Sequence, residues 1–81
     1  MPKLKVLSGQ DVIRIFKEFG FFAVDQKDSH IKLRRIMANG VKQTITVPNH
    51  DEIDQGTLGA IYRQTLRYIP ESELEKYFYT K

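Results

Sequence analysis

Asn39-Gly40 lies between two runs of alternating polar and apolar residues, and no other junction in the chain constrains the fold as much. Asn-Gly supplies the positive-φ backbone that a turn between antiparallel strands needs. Upstream, His30 to Met37 alternates, with Ile31 and Leu33 on one face and His30, Lys32 and Arg34 on the other. Downstream, Val41 to Val47 returns, with Ile45 and Val47 pointing one way and Lys42, Thr44 and Thr46 the other. Pro48 ends that run, because proline cannot donate to a ladder. A hairpin with one apolar face needs a cover on that face and leaves the other to water.

The cover comes from helices. Ser8 is placed as an N-cap, with Asp11 three residues on. Val12, Ile15, Phe16 and Phe19 then fall on one stripe, with Arg14, Lys17 and Glu18 opposite. Gly20 is placed to close the helix in a left-handed conformation. Phe21 to Asp25 reads as a further strand and Gln26 to Ser29 as a polar turn. After a loop from Asn49 to Ile53, Asp54 can cap a second helix over Gln55 to Arg67. Its stripe is Leu58, Ile61, Tyr62 and Thr65, weakened by Gly59. Pro70 suits the first turn of a short third helix carrying Leu74, Tyr77 and Phe78. The expectation is one α+β domain over residues 1–81: α-β-β-β-α, a three-stranded antiparallel sheet with helices packed on one face, and a short extra C-terminal helix.

A chain of 81 residues buries roughly 60% of its unfolded surface, enough for one thin core. Chemistry would therefore sit on an open surface, which suits a polymeric substrate. Charge is unevenly divided. Residues 1–50 hold nine Lys or Arg against four Asp or Glu, while residues 51–81 hold four against six. The cationic half contains the His30 strand. With no cysteine there is neither a disulfide nor a thiolate metal site. No window approaches the roughly 20 apolar residues of a membrane span, and the opening apolar run is too short for a secretion signal. A cytoplasmic protein with no membrane partner is expected.

His30 heads the basic run His30-Ile31-Lys32-Leu33-Arg34-Arg35. Imidazole is the side chain suited to proton transfer near neutral pH. Set among cations, it fits a phosphodiester whose nucleophile is already on the substrate, and RNA carries its 2′-OH beside the scissile phosphate. Lys32 and Arg34 share the face of His30 at steps of roughly 7 Å, so they can contact phosphates. Lys27 in the preceding turn is a similar candidate. Arg35 lies on the Ile31 and Leu33 face, towards the edge of the helix-covered side. His50 follows the third strand and is a candidate second catalytic group, pairing with His30 as acid and base, only if its loop folds back; a structural or loop-capping role is the plainer reading. Asp51, Glu52 and Asp54 form one acidic loop before a helix, better read as a cap with favourable dipole charges than as a magnesium site. Gly56-Thr57 opens the second helix, where free amides can meet a phosphate, although Asp54 would compete for them. Tyr68, Tyr77, Phe78 and Tyr79 read as core or tail packing. No metal and no cofactor is called for.

The element order is that of a double-stranded-RNA-binding domain. The chain also resembles the HicA (YcfA-like) toxins of HicAB toxin–antitoxin systems. The resemblance runs through Ser8-Gly9 with Val12-Ile13-Arg14-Ile15, Gly20-Phe21, Gln26 with Ser29-His30, Val47-Pro48 with His50, and Gly56-Thr57-Leu58 with Ile61 and Arg63-Gln64. These segments occur in order over residues 8–65. The resemblance implies a small endoribonuclease that cuts single-stranded mRNA and is held inactive by a HicB-type antitoxin. The catalytic histidine of that family lies in a Gly-Ser-His motif, which maps onto Asp28-Ser29-His30, with Asp28 in place of the glycine. On this reading neutral His30 takes the 2′-OH proton, Ser29, Lys27, Lys32, Arg34, Gly56 and Thr57 contact RNA, and the products end in a 2′,3′-cyclic phosphate and a 5′-OH. The alternative from a different class is a module of the same fold that binds RNA or a protein without chemistry.

Overall fold

A computed structural model describes residues 2–80. The elements run α1 (Gly9–Glu18), β1 (Phe22–Lys27), β2 (His30–Ile36), β3 (Lys42–Pro48), α2 (Gln55–Thr65) and α3 (Glu71–Phe78). This is the α+β, α-β-β-β-α order with an added C-terminal helix. The sheet is an antiparallel meander in the order β1-β2-β3.

Local chemistry explains each boundary. Ser8 Oγ accepts from the Asp11 amide while Asp11 Oδ2 accepts from the Ser8 amide, a reciprocal box that satisfies two otherwise free N–H groups. Gly20, at φ 88°, closes α1, with its amide on Lys17 O and that of Phe21 on Phe16 O. This 6→1 and 5→2 pair is the Schellman arrangement. Asp54 Oδ2 accepts from the Thr57 amide at the start of α2. In the β2–β3 connection Gly40 sits at φ 84° and Asn39 Oδ1 accepts from the Val41 amide.

Register places the two faces as the alternation requires. Ile31 pairs with Val47 and Leu33 with Ile45, all buried. His30 pairs with Pro48, Lys32 with Thr46 and Arg34 with Thr44 on the opposite face. The buried side packs against Val12, Ile13 and Phe16 of α1, Leu58 and Ile61 of α2, and Leu74 and Phe78 of α3. Phe16 lies 5.8 Å from the Phe21 ring and 5.9 Å from that of Phe78, tying helix, strand entry and C-terminal helix together. Arg35 stands on the edge of this layer. It donates to Phe19 O, Tyr68 O and Gln43 Oε1, and its guanidinium lies 4.8 Å from the centre of the Phe21 ring.

Four expectations are corrected. Ile13 joins Val12 and Phe16 in the buried stripe of α1, while Ile15 and Phe19 are only partly buried at the margin of the core. β1 starts one residue later and extends to Lys27, so the first hairpin turns tightly on Asp28 and Ser29. α2 ends at Thr65, short of Arg67. The helices do not cover the whole sheet, since every residue of β1 is exposed, and a register shift at Ala23–Asp25 bends that edge. Nothing in the residue pattern foretells that the two ends pair: Leu4 bridges Tyr79, and the Lys5 amide donates to Phe78 O.

Candidate active site

Three segments far apart in the chain converge at one corner of the molecule: the start of α1, the tip of the β1–β2 hairpin, and the loop leaving β3. The hairpin tip is tight. Lys27 pairs with His30, and Asp28 between them sits at φ 56°, in the left-handed region. Aspartate tolerates this region better than most side chains, and glycine tolerates it best. The tip therefore takes the conformation that the Gly-Ser-His motif would favour, with Asp28 bearing a modest backbone cost. Gln26 Nε2 donates to Asp28 O and steadies the turn.

The loop after β3 folds back onto this tip. The Asn49 amide donates to Ser29 O at 2.6 Å, and the Gly9 amide donates to His50 O at 2.8 Å. Gln10 Nε2 donates to Asn49 Oδ1. Gly9 is needed here, because a Cβ at that position would stand 2.7 Å from Asn49 Cα as well as against Pro48 O. His50 is thereby brought to the tip, with Nε2 3.5 Å from Ser29 Oγ, the outer limit of a hydrogen bond.

His30 lies between two concavities. One, of about 390 Å³, is lined by His30, Thr46, Pro48 and His50 on the sheet side and by Asp54, Thr57, Ala60 and Gln64 on the α2 side. The other, of about 160 Å³, is lined by Asp25, Lys27, His30, Lys32 and Thr46 on the open sheet face. The structure thus brings Lys27 and Lys32 to one side of His30, and His50 and Thr57 to the other, with Ser29 at the tip between them. Arg34 lies one register step beyond Lys32 and lines neither concavity. It is half-buried, and its Nε has no hydrogen-bond partner among the described residues. Gly56 also lies outside the cleft. Thr57 lines it, but its amide is already taken by Asp54 Oδ2, as the competition at that helix start implies.

Two residues of the site are not singled out for a role by the sequence. Thr46, shared by both concavities, looks like an ordinary strand surface position, and Gln64, on the far wall, enters only as part of the Arg63-Gln64 resemblance. Phe22, paired with Arg34 on the edge strand, is half exposed to solvent. Phe78 is core, Tyr77 packs edge-on against Phe19 at 5.5 Å, Tyr79 packs against Tyr62 at 5.1 Å, and Tyr68 lies beside Phe21. Among the described residues, no three His, Asp or Glu side chains gather as a metal site, and no helix is long and apolar enough to cross a membrane.

Compared with known proteins, residues 9–66 match a family model described as the HicA toxin of bacterial toxin–antitoxin. No curated protein and no solved structure matches the chain. The matched span takes in α1, all three strands, the hairpin tip, the returning loop and α2.

Proposed function

The chain belongs to the HicA toxin family of bacterial toxin–antitoxin systems, and from that premise we propose that it is a metal-independent endoribonuclease whose catalytic histidine is His30. A toxin of such a system has an antitoxin partner, and here that partner is a HicB-type protein that covers the cationic face and occludes His30. The substrate is single-stranded mRNA in the cytoplasm. A shallow, open site suits a polymer that lies across it.

One observation carries the reading: His30 stands at the head of β2, open to two concavities, with Lys27 and Lys32 on one flank. In the proposed reaction the neutral imidazole removes the proton from a 2′-OH. The 2′ oxygen attacks the adjacent phosphorus, and the bond to the 5′ oxygen breaks. Proton-transfer assistance of this kind is worth about 10²–10⁴-fold in rate. Lys27 and Lys32 supply positive charge where the phosphorane accumulates negative charge, and Arg34 holds the strand further along. Ser29 and Thr57 are polar contacts for the bound phosphate, while Gly56, outside the cleft, would touch only a longer stretch of RNA.

The test is incubation of a long single-stranded RNA in excess EDTA, with wild type beside His30→Ala. Cutting by wild type alone, with 2′,3′-cyclic phosphate and 5′-OH ends, is the expected result. RNA bound by both proteins and cut by neither would identify a non-catalytic RNA-binding module and end the nuclease reading.

A further inference from the structure

We propose that His50 is the second proton-transfer group of this site: it protonates the 5′ oxygen as that oxygen leaves phosphorus, opposite His30 acting as base. The inference rests on the endoribonuclease reading above and adds to it the group that completes the proton balance. His30 gains the proton lost by the 2′-OH. The P–O5′ bond breaks with its electron pair on O5′, which takes a proton from imidazolium His50. Exchange with water then restores both histidines.

Geometry carries the proposal. His30 and His50 line the same cleft of about 390 Å³, with Pro48 of β3 paired directly to His30. In-line displacement at phosphorus sets the attacking and leaving oxygens on opposite sides, so base and acid must approach from two directions. His30 comes from the hairpin and His50 from the loop after β3, so two separately anchored imidazoles face one cleft. His50 is also held in a way a surface loop residue does not require. Its carbonyl is fixed by the Gly9 amide, its neighbour Asn49 is bonded to Ser29 and Gln10, and α1 approaches so closely that Gly9 has no room for a Cβ. The 3.5 Å separation from Ser29 Oγ leaves Nε2 weakly engaged in the free protein. Catalytic hydrogen bonds are often long before substrate arrives and tighten when it does.

The experiment uses a linkage that wild type cuts, made in two forms, with oxygen or sulfur at the bridging 5′ position. A thiolate leaves without needing a proton. His50→Ala should slow cleavage of the all-oxygen linkage by about 10²-fold or more and cut the sulfur linkage near the wild-type rate. His30→Ala should be slow on both. His50→Gln, whose amide nitrogen can keep the Ser29 contact but cannot act as an acid, should behave as His50→Ala. Wild-type rates for His50→Ala would overturn the proposal. So would equal slowing on oxygen and sulfur, which marks a structural role, or wild-type rates for His50→Gln, which marks positioning through Ser29. A wild type that leaves RNA intact would instead remove the nuclease reading, and this inference with it.

Discussion

Asp28 is the residue where local chemistry and function meet most directly. Its φ of 56° lies where an L side chain is crowded, at a cost of up to about 1–2 kcal/mol that aspartate partly escapes. Asp28→Gly should therefore be neutral to stabilising, by about 0.5 kcal/mol, while Asp28→Val should destabilise by about 1–2 kcal/mol; urea unfolding of the three proteins checks both. The same change to glycine removes a negative charge next to Ser29 and His30, so on the proposed reading Asp28→Gly should bind RNA at least as tightly as wild type. Tyr62 illustrates a different residue-scale effect. Its hydroxyl donates to Glu71 Oε2 at 2.8 Å, and burial, followed by this bond and the charge of Glu71, holds the phenol well above its ordinary range. The tyrosine therefore stays a donor across all ordinary pH. Tyr62→Phe should cost about 1 kcal/mol, read as a lowered urea midpoint.

At the scale of elements, the start of α1 does two jobs. The Ser8–Asp11 box closes the helix, and Gly9 lets that helix end press against the loop carrying His50. Ser8→Ala should cost about 1 kcal/mol by loss of the cap. Gly9→Ala should cost more, about 2–3 kcal/mol, because backbone rather than a flexible side chain must move. On the proposed mechanism it should also slow RNA cleavage, by displacing Asn49 and His50. Asp11 gives the box a pH signature. Its carboxyl is held below the ordinary 3.8, first by the Ser8 amide and then by the Ser8 hydroxyl, with burial opposing and Arg14 adding to the lowering. A depressed folded value means that the contribution is present above the unfolded value and is lost as pH falls through the folded one. Wild type should therefore lose stability below about pH 4 more steeply than Asp11→Asn, as acid titration of circular dichroism would reveal.

At the scale of the whole molecule, one core joins α1, β2, β3, α2 and α3, with Phe21 anchoring the entry to β1. Phe16 and Leu33 are fully buried in it, on opposite layers. A domain of this size holds about 4–12 kcal/mol of stability, and Phe16→Ala removes about 3–5 kcal/mol of it. That variant should be largely unfolded at 37 °C, with shallow thermal transitions and dye binding as the readout. Charge also acts at this scale. Lys27 and Lys32 lie on the open face, with Asp25 beside them and Asp28 at the adjoining tip. Removing either should weaken RNA binding and flatten the dependence of log K on log salt by about 0.7 for each single-strand phosphate left without its cation.

Much of this architecture was readable in local periodicity. The stripe of α2, the pairing faces of β2 and β3, the Ser8 and Asp54 caps and the Gly20 stop all depend on residues within a turn or two of each other, and a short-range pattern encodes short-range structure. The solvent face bearing His30, Lys32 and Arg34 follows from the same alternation. Three features do not. The exposure of β1, including Phe22, depends on how far the helices reach across the sheet. The role of Gly9, which reads as an ordinary first helical residue, depends on what a distant loop brings against it. The place of His50 beside Ser29 and His30 depends on backbone bonds from Gly9 to His50 and from Asn49 to Ser29, spanning 41 and 20 positions of the chain. Such bonds form when packed elements bring carbonyls and amides together, and they leave no mark in the spacing of side chains. Periodicity therefore set the elements and their faces, while long-range packing assembled the corner in which two histidines share a cleft.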